Sequence, residues 1–148
     1  MHSLRSKARQ MAVQLMYQAD ITGDEPTAVL DAFWLIFQDE IEEEASAFTY
    51  AKELFLGAYA KISESDPIIA EFLKEDWSFD RLSCTVKNIF RLAVYEFFET
   101  DTPHFAILTD YVNLACAFDD EKSAVFVNGL LDRVRTSNFG RRCKDADS

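Results

Sequence analysis

Leu82, Val86, Ile89, Phe90, Ala93, Val94, Phe97 and Phe98 recur at spacings of three and four. That is the period of an α-helix, and the apolar arc it covers is unusually wide. A helix apolar over so much of its circumference needs neighbours on several sides. The spacing therefore predicts a central, mostly buried helix over about residues 80–99, capped by Asp76 or Ser78.

The rest of the chain supplies the neighbours. Leu4, Ala8, Met11, Leu15 and Ala19 form one stripe of a first helix. Arg5 and Arg9 flank that stripe on one side; Lys7, Gln14 and Gln18 flank it on the other. Val13 and Tyr17 fall on the opposite face. TGDEP at 22–26 breaks this helix, and Pro26 suits the first turn of the next. Further helices are predicted over about 28–38, 45–62, 105–118 and 122–135, with a short one reaching residue 74. The run DEIEEE at 39–44 reads as a solvated bend and helix start, and SESDP at 63–67 as another break. Gly57 suits a close helix crossing. With 4 Gly and 3 Pro among 148 residues, against 13 Phe, the chain favours long helices and short connections. No strand alternation or repeat is present. The expected fold is all-α, about seven helices in one domain over 1–137, with a frayed tail at 138–148.

Several chemistries lack their residues. Cys84, Cys116 and Cys143 are odd in number and far apart, as free thiols of a reducing compartment are. His2 and His104 have no plausible ligand at helical spacing, so no metal is expected. No phosphate-cradling glycine loop, nucleophile elbow or Cys–His signature occurs. The chain is not expected to be an enzyme or to carry a cofactor. It has neither a signal peptide nor an apolar run long enough to span a membrane, which predicts a cytoplasmic protein without membrane association.

The formal net charge of -11 is unevenly spread. Residues 1–19 hold Arg5, Lys7 and Arg9 and no acid. Residues 20–80 hold 16 acids and three lysines, and residues 81–148 are nearly balanced. The acidity thus belongs to the middle, and the ends are free to meet a polyanion.

FVNG at 126–129 resembles a hairpin turn, yet Val125, Val127, Leu130, Leu131 and Val134 keep helical spacing. Gly129 then reads as a packing glycine within a helix. Phe126 projects away from Val125 and Val127. It is either core or, exposed near Lys122, a platform for base stacking.

RSKARQMAVQLMYQ (5–18), NIFRLAVYEFF (88–98), the turn at Pro103 and SAVFVNGLLDRV (123–134) occur in this order and spacing. Together they resemble the transcription antitermination factor NusB family along essentially the whole chain. The resemblance implies two three-helix-bundle halves and a non-enzymatic role. Such proteins bind the boxA segment of nascent RNA together with a small ribosomal subunit protein, NusE. They help RNA polymerase read through terminators, notably on ribosomal RNA operons. On matching positions, Arg5, Lys7 and Arg9 resemble the family's arginine-rich motif. Gln14, Tyr17, Lys122 and Phe126 join them as implied RNA-binding residues. The chain departs from the family pattern at Ser6, Val86, Thr109, Asp110, Cys116, Ala117 and Val125. Val86 touches the region where the ribosomal partner is expected; the fold is little affected.

Two other readings stand beside this one. The same fold serves as the N-terminal domain of some ribosomal RNA cytosine methyltransferases, so a helper domain for RNA modification is one. A protein-interaction module, with the cations a solvated flank, is the other. Monomer and homodimer both remain open.

Overall fold

The computed structural model of the chain describes residues 3–74 and 77–137. The expected tail at 138–148 and Asp76 lie outside them. Among the described residues there are seven α-helices, one short 3-10 turn and no strand.

α1 (Leu4–Thr22) starts where the Ser3 hydroxyl accepts the Ser6 N–H at 3.1 Å. It ends at Gly23, whose φ of 72° only glycine adopts without strain, and whose N–H reaches the Ala19 carbonyl. α2 (Pro26–Glu43) carries Pro26 in its first turn, as expected. It does not stop at residue 38. Phe37, at φ -114° and ψ 25°, kinks the helix, and the acidic run continues it to Glu43. Phe33 and Ile41 on either side are buried, so core packing carries the helix through its charge run.

α3 (Ala45–Ala60) and α4 (Ile62–Glu71) meet at Lys61, not at SESDP. Pro67 lies inside α4, where Ser63 and Pro67 are both exposed and water can replace the lost helical bond. A 3-10 turn at Phe79–Arg81 precedes α5 (Cys84–Glu99). The cap of α5 is Ser83, whose hydroxyl accepts the Val86 N–H at 3.2 Å; Ser78 makes no side-chain cap bond. α6 (His104–Phe118) follows, and α7 (Glu121–Thr136) is capped by Asp120. FVNG is helical.

α5 packs against α1, α3, α4, α6 and α7. α1 to α3 form one three-helix bundle and α5 to α7 the other, with α4 laid on α5. Every residue from Asn88 to Val94 is buried, which meets the expectation of a central helix apolar on several sides. A Cβ at Gly57 would stand 2.3 Å from Cζ of Tyr95, so this glycine does allow α3 to approach α5. Gly129 behaves otherwise. A Cβ there would meet only Nη1 of Arg133, at 3.6 Å, so it is not the packing glycine its surroundings suggested.

Candidate nucleic-acid interface

The three cations of α1 have three different fates. Arg5 is exposed, with its guanidinium carbon 3.8 Å from the centroid of the Tyr50 ring on α3. This stacking holds a long side chain flat while leaving its charge toward solvent. Lys7, partly exposed, forms an ion pair with Glu44 between α2 and α3. Arg9 is only 2% exposed.

Arg9 corrects the expectation of a flanking surface cation. Its Nε and Nη2 each donate to Glu96 at 2.8 Å, and Nη1 donates to Asp110 at 2.7 Å. Glu96 also accepts the hydroxyls of Tyr50 at 3.1 Å and Tyr111 at 2.7 Å. Ser6 donates to Asp110 at 2.9 Å. One buried carboxylate thus ties α1, α3, α5 and α6 together. Burial opposes the Arg9 charge, but hydrogen bonds to Glu96 and the Glu96 charge outweigh it and hold the guanidinium above its ordinary pKa. Burial and then Glu96 push the Tyr111 phenol well up. Tyr50 rises for the same two reasons, against the pull of Thr102, Arg5 and Arg9.

Further along α1, Gln14 and Tyr17 line an open groove with Val13, Gln18, Ile21, Thr85 and Phe118. Tyr17 is 45% exposed while Val13 on the same face is buried. On the other bundle Lys122 is exposed in the first turn of α7. Phe126 packs against the core: Phe90 meets it edge-on at 5.7 Å, and Trp77 stacks on it at 5.7 Å with planes 28° apart. The exposed member of that stack is Trp77. Val125, at 74% exposed, is the residue of this stretch that leaves the core.

The structure therefore brings Arg5, Lys7, Gln14 and Tyr17 onto one helix and removes Arg9 from its surface. Reasoning from sequence missed Tyr50, Trp77, Asp110 and Glu96. Glu96 did leave a signal, as the one acid set within the apolar arc of the central helix. Val86, 3% exposed, is core and cannot meet a partner directly, whereas Thr109, Cys116, Ala117 and Val125 are all exposed.

A second network binds the far end of α1. Arg91 donates to both oxygens of Asp66 at 2.8 Å and to Asn88 at 3.0 Å, with Asp20 at 3.6 Å. Cys84 lies 3.1 Å from Asp20, and burial together with that carboxylate pushes its thiol up to about 11.

A family model described as NusB family matches residues 6–136. The transcription antitermination protein NusB of Symbiobacterium thermophilum is 37% identical over 139 residues, covering 88% of each chain. That of Mesorhizobium japonicum is 36% identical and covers 96% of each chain. That of Cutibacterium acnes is 32% identical over 94% of this chain, which spans about half, 51%, of the relative's length. Among solved structures, antitermination factors NusB and NusE in complex with dsRNA include a chain 32% identical, with a TM-score of 0.74, covering 90% of this chain and 97% of that one. T. maritima NusB matches with a TM-score of 0.78 at 27% identity, covering 94% and 95%.

Proposed function

The chain belongs to the NusB family, and on that premise we propose that it is a transcription antitermination factor. It binds boxA-type RNA together with the small ribosomal subunit protein NusE and helps RNA polymerase pass terminators, notably on ribosomal RNA operons. Its part is binding, not catalysis, and it acts in the cytoplasm where transcripts are made. The likeness to a NusB chain solved with NusE and dsRNA supports the choice of partners.

The observation that carries the reading is the exposed surface of α1, which presents Arg5 on one flank and Lys7, Gln14 and Tyr17 on the other. Residues 1–19 hold no acid, Arg5 is spread on Tyr50, and Tyr17 stands exposed three turns further along. Arg5 and Lys7 take phosphates, Gln14 offers hydrogen bonds, and Tyr17 takes a base by stacking. Arg9 acts from within, fixing the helix that presents them. Lys122 and the Trp77–Phe126 stack offer a second contact on α5 to α7.

The test is a titration of labelled boxA RNA, single-stranded and as a duplex, with and without NusE. Binding that NusE strengthens is expected. No binding under any of these conditions would leave the chain a protein-interaction module.

A further inference from the structure

α2 presents three consecutive large apolar side chains to solvent: Trp34 at 41%, Leu35 at 70% and Ile36 at 68% exposed. The helix does not need them for anchoring, because Val29, Phe33 and Ile41 are its buried residues. The kink at Phe37 follows directly, and the Phe37 ring turns inward to lie 4.7 Å from Phe33. A contiguous exposed apolar patch rimmed by polar groups is the usual mark of an interaction surface.

The rim has one sign. Asp31 lies one turn before Trp34 and Leu35, and beyond the kink the exposed Asp39 and Glu42 continue the same helix. From residue 20 to residue 44 there are nine carboxylates and no Lys or Arg. Beside the patch, the cleft between α1 and α2 is floored by Met11, Phe33 and Phe37 and edged by Glu40, Glu43 and Glu44. Among the described residues Lys7 pairs with Glu44.

This charge selects the occupant. RNA and anionic lipid headgroups are repelled. A second copy placed face to face would set two rows of carboxylates together. A segment with apolar anchors and Lys or Arg around them matches both features. We propose that the Trp34–Leu35–Ile36 face of α2 docks a basic amphipathic segment of a partner protein. Its apolar residues cover Trp34 and Leu35, and its cations meet Asp31, Asp39 and Glu42. The Trp34–Leu35–Ile36 face contains none of the α1 residues assigned to RNA, although Lys7 and Gln14 share the neighbouring cleft, and the proposal does not depend on that assignment.

The test uses the full chain and two synthetic 14-residue helical peptides, one Leu/Lys and one Leu/Glu, followed by amide shifts in NMR. The Leu/Lys peptide is expected to shift residues 31–42 selectively, and the Leu/Glu peptide to leave them unmoved. Leu35→Ser, and separately Asp31→Asn with Asp39→Asn and Glu42→Gln, should each weaken binding at least tenfold. Exposed side chains carry these changes, so circular dichroism should match the parent. Glu64→Gln with Glu71→Gln on α4 should bind as the parent does.

Equal weakening by the α4 pair would reduce the effect to bulk charge and overturn the proposal, as would equal binding of the Leu/Glu peptide. So would a concentration-dependent dimer abolished by Leu35→Ser, which would make a second copy the occupant. A chain ending at residue 137 that binds the Leu/Lys peptide much more tightly would assign the face to the chain's own tail.

Discussion

Arg9 and Glu96 sit 87 positions apart in sequence and share two hydrogen bonds in the core. Their burial makes them costly to separate, since either one alone is an uncompensated buried charge. Glu96→Gln is expected to lose about 3–5 kcal/mol in chemical denaturation. Arg9→Met together with Glu96→Leu should recover part of this loss, because both charges then leave together. The same site sets an alkaline limit. Tyr50 and Tyr111 have folded pKa values raised above their unfolded ones, so below about pH 10 both states keep the proton and stability is full. Above that the unfolded chain releases protons first, and the denaturation midpoint should fall steadily with pH. Cys84 is a thiol held protonated beside Asp20, whereas Cys116 is exposed. Iodoacetamide at pH 8, read by peptide mapping, should label Cys116 well before Cys84. Equal rates would mean the Cys84–Asp20 contact does not persist in solution.

Between elements, the two interior glycines predict opposite results. Gly57→Ala places a methyl 2.3 Å from the Tyr95 ring, and overpacking of this kind costs about 1–3 kcal/mol. Combined with Tyr95→Ala the cost should vanish, because the obstructing ring is gone. Gly129→Ala meets only the far end of Arg133, so removing a helix-interior glycine should stabilise by about 0.5–1 kcal/mol. Thermal melts of these variants, with Tyr95→Ala alone as the reference for the double variant, decide both points. The helices themselves were legible beforehand in outline: α1, α3, α6 and α7 lie within two or three residues of their expected spans. The misplaced boundaries were at residues 38, 63–67 and 80. At 38 and 63–67, local turn or charge chemistry pointed one way and packing of Ile41 or Ile69 another, and burial prevailed; at 80 a later cap, Ser83, set the start of α5.

Across the whole molecule, the division between a cationic first helix and an acidic middle should set how RNA docks. If Arg5 alone is removed, the log–log salt slope for single-stranded RNA should flatten by about 0.7, one phosphate contact. Melting should move little, because Arg5 contributes only an exposed stacking contact. Arg9→Ala should instead unfold the chain more readily. A wild-type slope in Arg5→Ala would move the RNA to Lys122 and α7. The apolar period, the scarcity of glycine and proline and the uneven charge were enough to determine an all-helical domain, its central helix and its cationic edge. These are properties of residues close in sequence, and a helix's period reports them directly. Which cation reaches solvent was decided only by tertiary structure. A position on one helix gives an angle but not what stands opposite: Tyr50 lies beneath Arg5, Glu96 and Asp110 close over Arg9, and Trp77 covers Phe126. Those partners come from helices and connecting segments distant in sequence, and only packing brings them together.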